Sequence, residues 1–319
     1  MATLLVIGGS GFFGKSILDM FQRGELGRWN VDKVIAMSRS AKRLETEAPE
    51  LVRGNVELVE LDIATTNYLP EADYIIHAAA STDARNYLSA GEKERENIQA
   101  GTLNYCNLAK SVHKNSKILY VSSGAVYGTQ PTDIGYLDET YQLNDPMDIP
   151  EGKRDYAVAK RDAEALIKEL GAYEMNVSIA RCFAFVGKYL PRDQHFAIGN
   201  FIADGLAGRA VAVKANHLVF RSYMYADDLV EWMMEILVNA NPKCPIFNVG
   251  SEETVSISAL AEKVADCFGS KVDAKNINVE KIDRYVPSTE KAFNELSLSC
   301  KLDLNQAIQK TLSIIRNEP

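Results

Sequence analysis

Short apolar runs alternate with longer stretches of helical period through the first half of the chain. TLLVIG (3–8), KVIAMS (33–38), VELVELDI (56–63), YIIHAAA (74–80), KILYVSS (117–123) and NVSIARCF (176–183) read as strands. Between them, 14–23, 92–113 and 155–170 place apolar residues three and four apart, the spacing of one helix face. The strand runs are continuously apolar rather than alternating, so both faces of the sheet are covered. Strand–helix alternation then predicts an α/β fold built on a doubly wound parallel sheet.

The rhythm breaks after about residue 187. GKYLPRDQHF reads as loop, followed by a helix at 198–207, a strand at 210–214, a helix at 226–239, the strand IFNVG (246–250) and a helix at 258–268. The division expected is a nucleotide-binding domain over 1–183 and a smaller mixed α/β substrate domain over 184–319, with part of 219–250 returning to the first. No Pro/Gly-rich linker separates them.

Composition changes this picture mainly by exclusion. A formal charge of −8 over 319 residues argues against nucleic acid as partner, because phosphate backbones need clustered Lys and Arg. No run of about eighteen apolar residues suggests a membrane span. MATLLVIGG has no basic leader, so a cytoplasmic location is expected. The five scattered cysteines form no CxxC pair and read as free thiols; the four distant histidines suggest no metal site.

The first candidate chemistry is VIGGSGFFGKS (6–16). Gly8, Gly11 and Gly14 follow a buried strand and open a helix, the setting in which backbone N–H groups and the helix dipole hold a phosphate. GxxxxGKS is also satisfied literally, but the dinucleotide setting takes precedence over an ATPase reading. The acid that should end the second strand and bind the ribose of NAD is missing; Ser38 and Arg39 stand there, with Arg43 beyond. Cations at this place attract a 2′-phosphate. NADP(H) is therefore favoured, with NAD(H) as the alternative.

The second is a serine, a tyrosine and a lysine. Ser123 ends the strand KILYVSS, and DYAVAK supplies Tyr156 and Lys160 on one helix face. A phenol is a poor acid–base group near neutrality until an ammonium lowers its pKa. The three fit proton exchange on a sugar or alcohol oxygen.

On these residues the chain resembles the extended short-chain dehydrogenase/reductases of the nucleotide-sugar epimerase/dehydratase branch, over nearly its whole length. The resemblance implies a Rossmann-type sheet. It implies a cofactor site of Gly8, Gly11, Phe12, Phe13, Gly14, Ser38, Arg39, Asp62, Ile63, Ala78, Ala79, Ala80 and Asn97, together with Tyr156 and Lys160. His77 opens the segment lining the cofactor. Ser123, Tyr156 and Lys160 take the catalytic roles. The signature in RSYMYADDL (221–229) implies that Arg221 binds the diphosphate of a nucleotide-diphosphate sugar, with Arg284 as a second arginine, Ser123 and Asn200 also at the substrate. A homodimer through helices 92–113 and 155–170, and a place in making cell-surface polysaccharides, are further implications.

Two departures narrow the reading. Dehydratases of the family follow the serine or threonine with Asp-Glu; here Gly124-Ala125 follow, and neither can remove water. Ala184 replaces the amide of RxFN. The expectation is an NADP(H)-dependent 4-ketoreductase acting on a nucleotide-linked 4-keto-6-deoxysugar. The alternatives are a 4-epimerase with tightly bound NAD, a reductase of a non-sugar carbonyl, or a sensor that binds nucleotide without turnover. The long stretch between Gly128 and Tyr156 is expected to act as a lid.

Overall fold

The computed structural model describes residues 1–80 and 84–317, and the side chains of all of these except 84–90. Its centre is a seven-stranded parallel sheet. The strands are β1 (Ala2–Ile7), β2 (Val31–Ser38), β3 (Val56–Glu60), β4 (Tyr74–His77), β5 (Lys117–Ser123) and β6 (Asn176–Cys182), with β11 (Ile246–Val249) at one edge. Their spatial order is β11-β6-β5-β4-β1-β2-β3, so the order reverses between β1 and β4. This is the doubly wound α/β sheet that the strand–helix alternation predicts.

Helices cover both faces, which explains the unbroken apolar runs. Leu4, Val6 and Ala36 point to one side, where α1 (Phe12–Gln22) and α6 (Ala226–Val238) bury Ile17, Leu18, Trp232 and Met233. Leu5, Ile7 and Ile35 point to the other, against Ile98, Tyr105, Ala159, Ala163 and Ile167 of α3 (Ala84–Val112) and α4 (Glu151–Gly171). A four-residue helix α2 (Leu44–Glu47) lies between β2 and β3. The third helix starts earlier than the apolar period suggests, because ARNYLSAG carries helix-compatible residues without an apolar stripe.

Small elements gather on the remaining side. They are β7 (Phe185–Val186), α5 (Ala197–Leu206), β8 (Val211–Val213), β9 (His217–Arg221), β10 (Met224–Tyr225), β12 (Val255–Ser256), α7 (Ile257–Asp266), β13 (Val272–Ala274), β14 (Asn278–Tyr285), α8 (Glu290–Leu296) and α9 (Leu304–Arg316). A third core of Leu190, Ile198, Phe201, Leu260, Val264, Ile308 and Leu312 joins them. The last helix begins with a capping box between Asp303 and Gln306. β9, β14, α8 and α9 have no counterpart in the sequence reading. β14 (NVEKIDRY) is half-exposed and mostly polar, so neither its period nor its composition marks a strand.

The helix and the strand nearest the candidate chemistry are locked together by charge. Glu164 of α4 and Arg181 of β6 form a two-pronged ion pair at 3.0 and 2.8 Å, each side chain only 5% exposed. Ser122 donates to the same carboxylate at 2.6 Å. Removing one member of such a pair leaves a buried charge without a partner. Arg181→Met is expected to lower unfolding free energy by about 3–5 kcal/mol, more than the double change Glu164→Leu/Arg181→Met, read by urea titration. Equal losses for the single and double variants would show that the unpaired Glu164 carboxylate adds no cost.

Candidate active site

The glycine-rich turn is closely packed at Gly8, Gly9 and Gly14 and left open at Gly11. Gly8 has φ +98°, and a Cβ there would lie 2.8 Å from the backbone of Ala78; at Gly14 it would lie 2.2 Å from the Gly9 carbonyl oxygen. Gly11 meets only the Gly8 carbonyl, at 3.4 Å. Gly11 is also the N-cap of α1 and brings no side-chain cap to the helix's first N–H groups. An open approach beside uncapped N–H donors suits a phosphate. Phe12 and Phe13 turn their rings onto Phe185, at 6.3 and 5.6 Å, so only their backbone faces this opening.

At the end of β2, Ser10 donates to the Ser38 hydroxyl at 2.9 Å, tying the glycine turn to the neighbouring strand end. Arg39 is exposed and carries no ion pair among the described residues. Arg43 is otherwise engaged: it pairs with Glu47, which also takes Lys15 at 3.4 Å. The Walker-like lysine therefore points across to α2. Asp62 caps its own turn by accepting from Ala64 N at 3.0 Å, and Asn104 holds the carbonyls of Ile63 and Thr66. Ala78 continues β4 through a bond to Ile7 O, with Ala79 and Ala80 following half-buried. His77 is buried, its ring edge-on to Tyr105 at 4.9 Å, with neither ring nitrogen hydrogen-bonded. Burial, with Lys160 nearby, pushes its pKa down to about 3, so it stays neutral. Asn97 lies on an exposed turn of α3.

Ser123, Tyr156 and Lys160 come together at the carboxyl end of β5, where ligands bind in such sheets. The Ser123 hydroxyl lies near enough to Tyr156 to act on its titration. Packing around the Tyr156 ring pushes its pKa up to about 12, with the Ser123 hydroxyl acting the other way. Lys160 is buried below, with Nζ 5.9 Å from the Tyr156 ring centroid. It donates to Val121 O at 2.9 Å and to the Tyr120 hydroxyl at 3.3 Å, leaving one ammonium hydrogen for another acceptor. Burial lowers its pKa to about 8, with Cys182 and Glu164 acting the other way.

Sequence reasoning missed the residue that completes this cluster. The Tyr285 hydroxyl, from the end of β14, sits 3.4 Å from Ser123 Oγ and 3.4 Å from the Cys182 carbonyl oxygen. Its ring stacks on Phe183 at 4.6 Å. Together they fill the space beside Gly124: a Cβ there would lie 2.7 Å from both the Tyr285 hydroxyl and Phe183 Cζ. The only signal in the sequence was the pair Arg284-Tyr285 itself, read for its arginine.

The two candidate diphosphate arginines lie apart. β9 and β14 run parallel, with Arg221 opposite Tyr285 and Arg284 opposite Phe220. Alternating side chains put them on opposite faces of this small sheet. The contacts agree: Arg221 lies over the Tyr285 ring and Arg284 over Phe220. Only Arg221 shares the face turned to Ser123. It is held by Asp283 at 3.0 Å, a carboxylate that Lys153 of α4 also approaches at 3.5 Å. Asn200 spends its amide on Gln194 O, and Asp228 of the RSYMYADDL signature accepts from Lys301 N.

The segment before α4 is anchored rather than hanging free. Leu137 exchanges backbone bonds with Val286 and Ser288, Gln130 accepts from Val286 N, and Arg161 holds Val126 O and Asn144 O. These bonds fix both the loop and the strand end bearing Tyr285, so the loop is a wall of the site in this state.

This fold and site belong to a family that the comparisons identify. The model of the NAD dependent epimerase/dehydratase family matches residues 4–250, and the chain belongs to that family. It is an enzyme of the extended short-chain dehydrogenase/reductase class. It is 27% identical over 320 residues to UDP-glucuronic acid decarboxylase 1 of Xenopus tropicalis, covering 99% of this chain and 72% of that protein. UDP-glucuronic acid decarboxylase 3 of Arabidopsis thaliana is 28% identical over 309 residues, covering 96% and 86%. Among solved structures, the dTDP-glucose 4,6-dehydratase of Streptomyces venezuelae with NAD bound has a TM-score of 0.82 at 20% identity, covering 99% and 97%. The UDP-glucose 4-epimerase of Thermotoga maritima with UDP-glucose has a TM-score of 0.81 at 18% identity, covering 98% of each chain.

The depressed pKa of Lys160 has a stability consequence. A lysine that titrates near 8 when folded and near 10.5 when unfolded binds fewer protons in the folded state between those values, so its contribution makes stability rise with pH there. Below about pH 8 the full cost of the buried ammonium is present. Lys160→Met is therefore expected to gain most over the natural protein below that pH, the difference shrinking as pH rises. Urea midpoints measured side by side across this range test it; a constant difference would count against it.

Proposed function

We propose that this enzyme is an NADP(H)-dependent 4-ketoreductase of a nucleotide-linked 4-keto-6-deoxysugar. The observation that carries the reading is at Gly124. The machinery for hydride and proton exchange stands complete in Ser123, Tyr156 and Lys160. The next position has no acid or base, and the room for one is taken by Tyr285 and Phe183. Elimination chemistry lacks its groups, while carbonyl reduction lacks nothing from the chain.

The nicotinamide cofactor supplies hydride when bound. Tyr156 delivers the proton to the carbonyl oxygen, and Ser123 holds that oxygen by its hydroxyl. Lys160 keeps its third ammonium hydrogen for a ribose hydroxyl and favours loss of the Tyr156 proton. Gly11 and the open end of α1 take the diphosphate, and Arg39 takes the 2′-phosphate. The NAD held by the solved dehydratase of this fold supports a nicotinamide site; the preference for NADP rests on Arg39.

The groups packed nearest Ser123 are apolar or neutral: Gly124, Ala125, Phe183 and the Tyr285 ring. Arg221 is engaged by Asp283 and Lys160 is directed downward. A substrate carrying a carboxylate, as UDP-glucuronate does, meets no unpaired cation beside Ser123 among the described residues, which favours a neutral sugar ring. Arg221 remains the candidate for the sugar nucleotide's diphosphate, once it leaves Asp283.

The groove between α3 and α4, with Ala100, Leu103 and Leu166 on its walls and Leu103 exposed, supports a homodimer. A monomer mass by light scattering would overturn that part.

Mixing the enzyme with NADPH and a panel of nucleotide-linked 4-keto-6-deoxysugars is expected to give stoichiometric loss of reduced-cofactor absorbance, with UDP-glucuronate unconsumed. Interconversion of sugars without net cofactor oxidation would establish the epimerase instead. Tyr156→Phe is expected to lower kcat by about 10²- to 10⁴-fold, the range for a general acid. Arg39→Ala is expected to raise the KM for NADPH about tenfold and leave that for NADH nearly unchanged, matching about 1.4 kcal/mol of lost phosphate contact.

A further inference from the structure

Arg221 has two kinds of partner, and only one of them carries charge. Its Nη1 donates to two backbone carbonyls, Phe220 O at 2.8 Å and Asp283 O at 3.2 Å. Its Nη2 donates to the Asp283 carboxylate at 3.0 Å. A guanidinium has five hydrogens, and these bonds use three. The Nε hydrogen and one on Nη2 meet no acceptor among the described residues. The backbone carbonyls thus aim the group, and they stay in place whether or not the carboxylate does.

Asp283 in turn lies between two cations. The Oδ2 that takes Arg221 lies 3.5 Å from Nζ of Lys153, on the first turn of α4. Burial favours the neutral acid, yet Arg221 and Lys153 together hold the Asp283 carboxyl below the usual carboxylate range. The trio therefore carries one net positive charge around one carboxylate. The Arg221 and Asp283 side chains are 20% and 29% exposed, partly shielded from water, while that of Lys153 is 64% exposed. A lysine on a flexible stem in solvent can follow a carboxylate that swings away from the sheet.

We propose that Asp283 is a specificity-determining residue, an internal anion that a nucleoside diphosphate displaces from Arg221 while Lys153 receives the released carboxylate. The proposal rests on the reading of Arg221 as the cation for the sugar nucleotide's diphosphate. Displacement exchanges one charge-assisted bond for another, so a ligand gains only by bringing more than the carboxylate does. A singly charged anion brings no more. A diphosphate carries at least two negative charges and enough oxygens to take the two unused guanidinium hydrogens as well. Until it arrives, Asp283 spares the protein a half-buried cation without a counter-charge.

The test uses nucleoside diphosphates without sugar. Dissociation constants for UDP, dTDP, GDP and CDP are measured by calorimetry on the full chain, saturated with whichever of NADP⁺ and NAD⁺ binds tighter. Asp283→Asn keeps the shape and removes the charge. It is expected to tighten the best-bound diphosphate about three- to tenfold. Beside Arg221→Met the same change is expected to matter less than about twofold, because Asp283 acts through Arg221. Lys153→Met is expected to weaken binding about threefold and to lose most of that effect beside Asp283→Asn.

Equal or weaker binding by Asp283→Asn overturns the proposal and makes the carboxylate an anchor for Arg221. An undiminished gain beside Arg221→Met also overturns it, the charge then acting on the whole surface. An undiminished Lys153→Met loss beside Asp283→Asn removes Lys153 as receiver. In each case Arg221 stands as the diphosphate cation if Arg221→Met alone weakens binding. If Arg221→Met binds as the natural protein does, or if none of the four diphosphates binds the natural protein or Asp283→Asn, both readings fall together.

Discussion

The site depends on the buried pair between Glu164 and Arg181. Tyr156, Lys160 and Glu164 follow one another at four-residue steps along a single face of α4. Fixing the last fixes the register of the other two. Arg181 grips both carboxylate oxygens from β6, and Ser122 grips the same group from β5. One carboxylate thus ties the helix that carries Tyr156 and Lys160 to the strand that carries Ser123. Two ions this deep are costly to desolvate, and an apolar contact could hold a helix on a sheet more cheaply. What an apolar contact lacks is direction: bidentate geometry tolerates little sliding of α4 along the strands.

The same pair reaches the far side of the site. Arg181 is followed by Cys182, whose carbonyl meets the Tyr285 hydroxyl, and by Phe183, on which the Tyr285 ring stacks. Tyr285 itself arrives from the C-terminal elements, steadied by the backbone bonds between 286–288 and Leu137. Asn248 adds to this junction by holding Leu137 O and Ser288 O at once, with the Tyr127 hydroxyl on its own oxygen. Three distant stretches of chain therefore converge on Ser123 through polar contacts that each have a defined geometry.

How much of this the sequence revealed follows from the range of each interaction. The sheet was legible because burial on both faces writes itself as unbroken apolar runs. The glycine turn and the Tyr156–Lys160 pair were legible because their partners are local, within one turn or one loop. The small β9–β14 sheet was not, since β14 is polar, half-exposed and paired with a strand some sixty residues earlier. Its register decides which residues face Ser123. Without it, Arg284 looked like a partner for Arg221, and Tyr285 did not stand out at all. Arg43 beside Arg39 differs for a similar reason: Glu47, four residues on, pairs with it, leaving Arg39 without an ion pair among the described residues.

The departure at Gly124 is best understood as an exchange across space rather than a loss. Position 124 carries no side chain, and the Tyr285 hydroxyl stands where its Cβ would point. An aspartate there could not coexist with Tyr285 in this place, and Tyr285 could not approach Ser123 past an aspartate. The two are alternative occupants of one volume, one brought by the strand end and the other by a distant strand. A carboxylate in that volume would supply a second acid–base group to the substrate. A phenol there instead lies against the Ser123 hydroxyl, at 3.4 Å. The shape of the candidate site is thus set by which element reaches the space beside Ser123, and the sheet that delivers Tyr285 is as much a part of that site as the motif on α4.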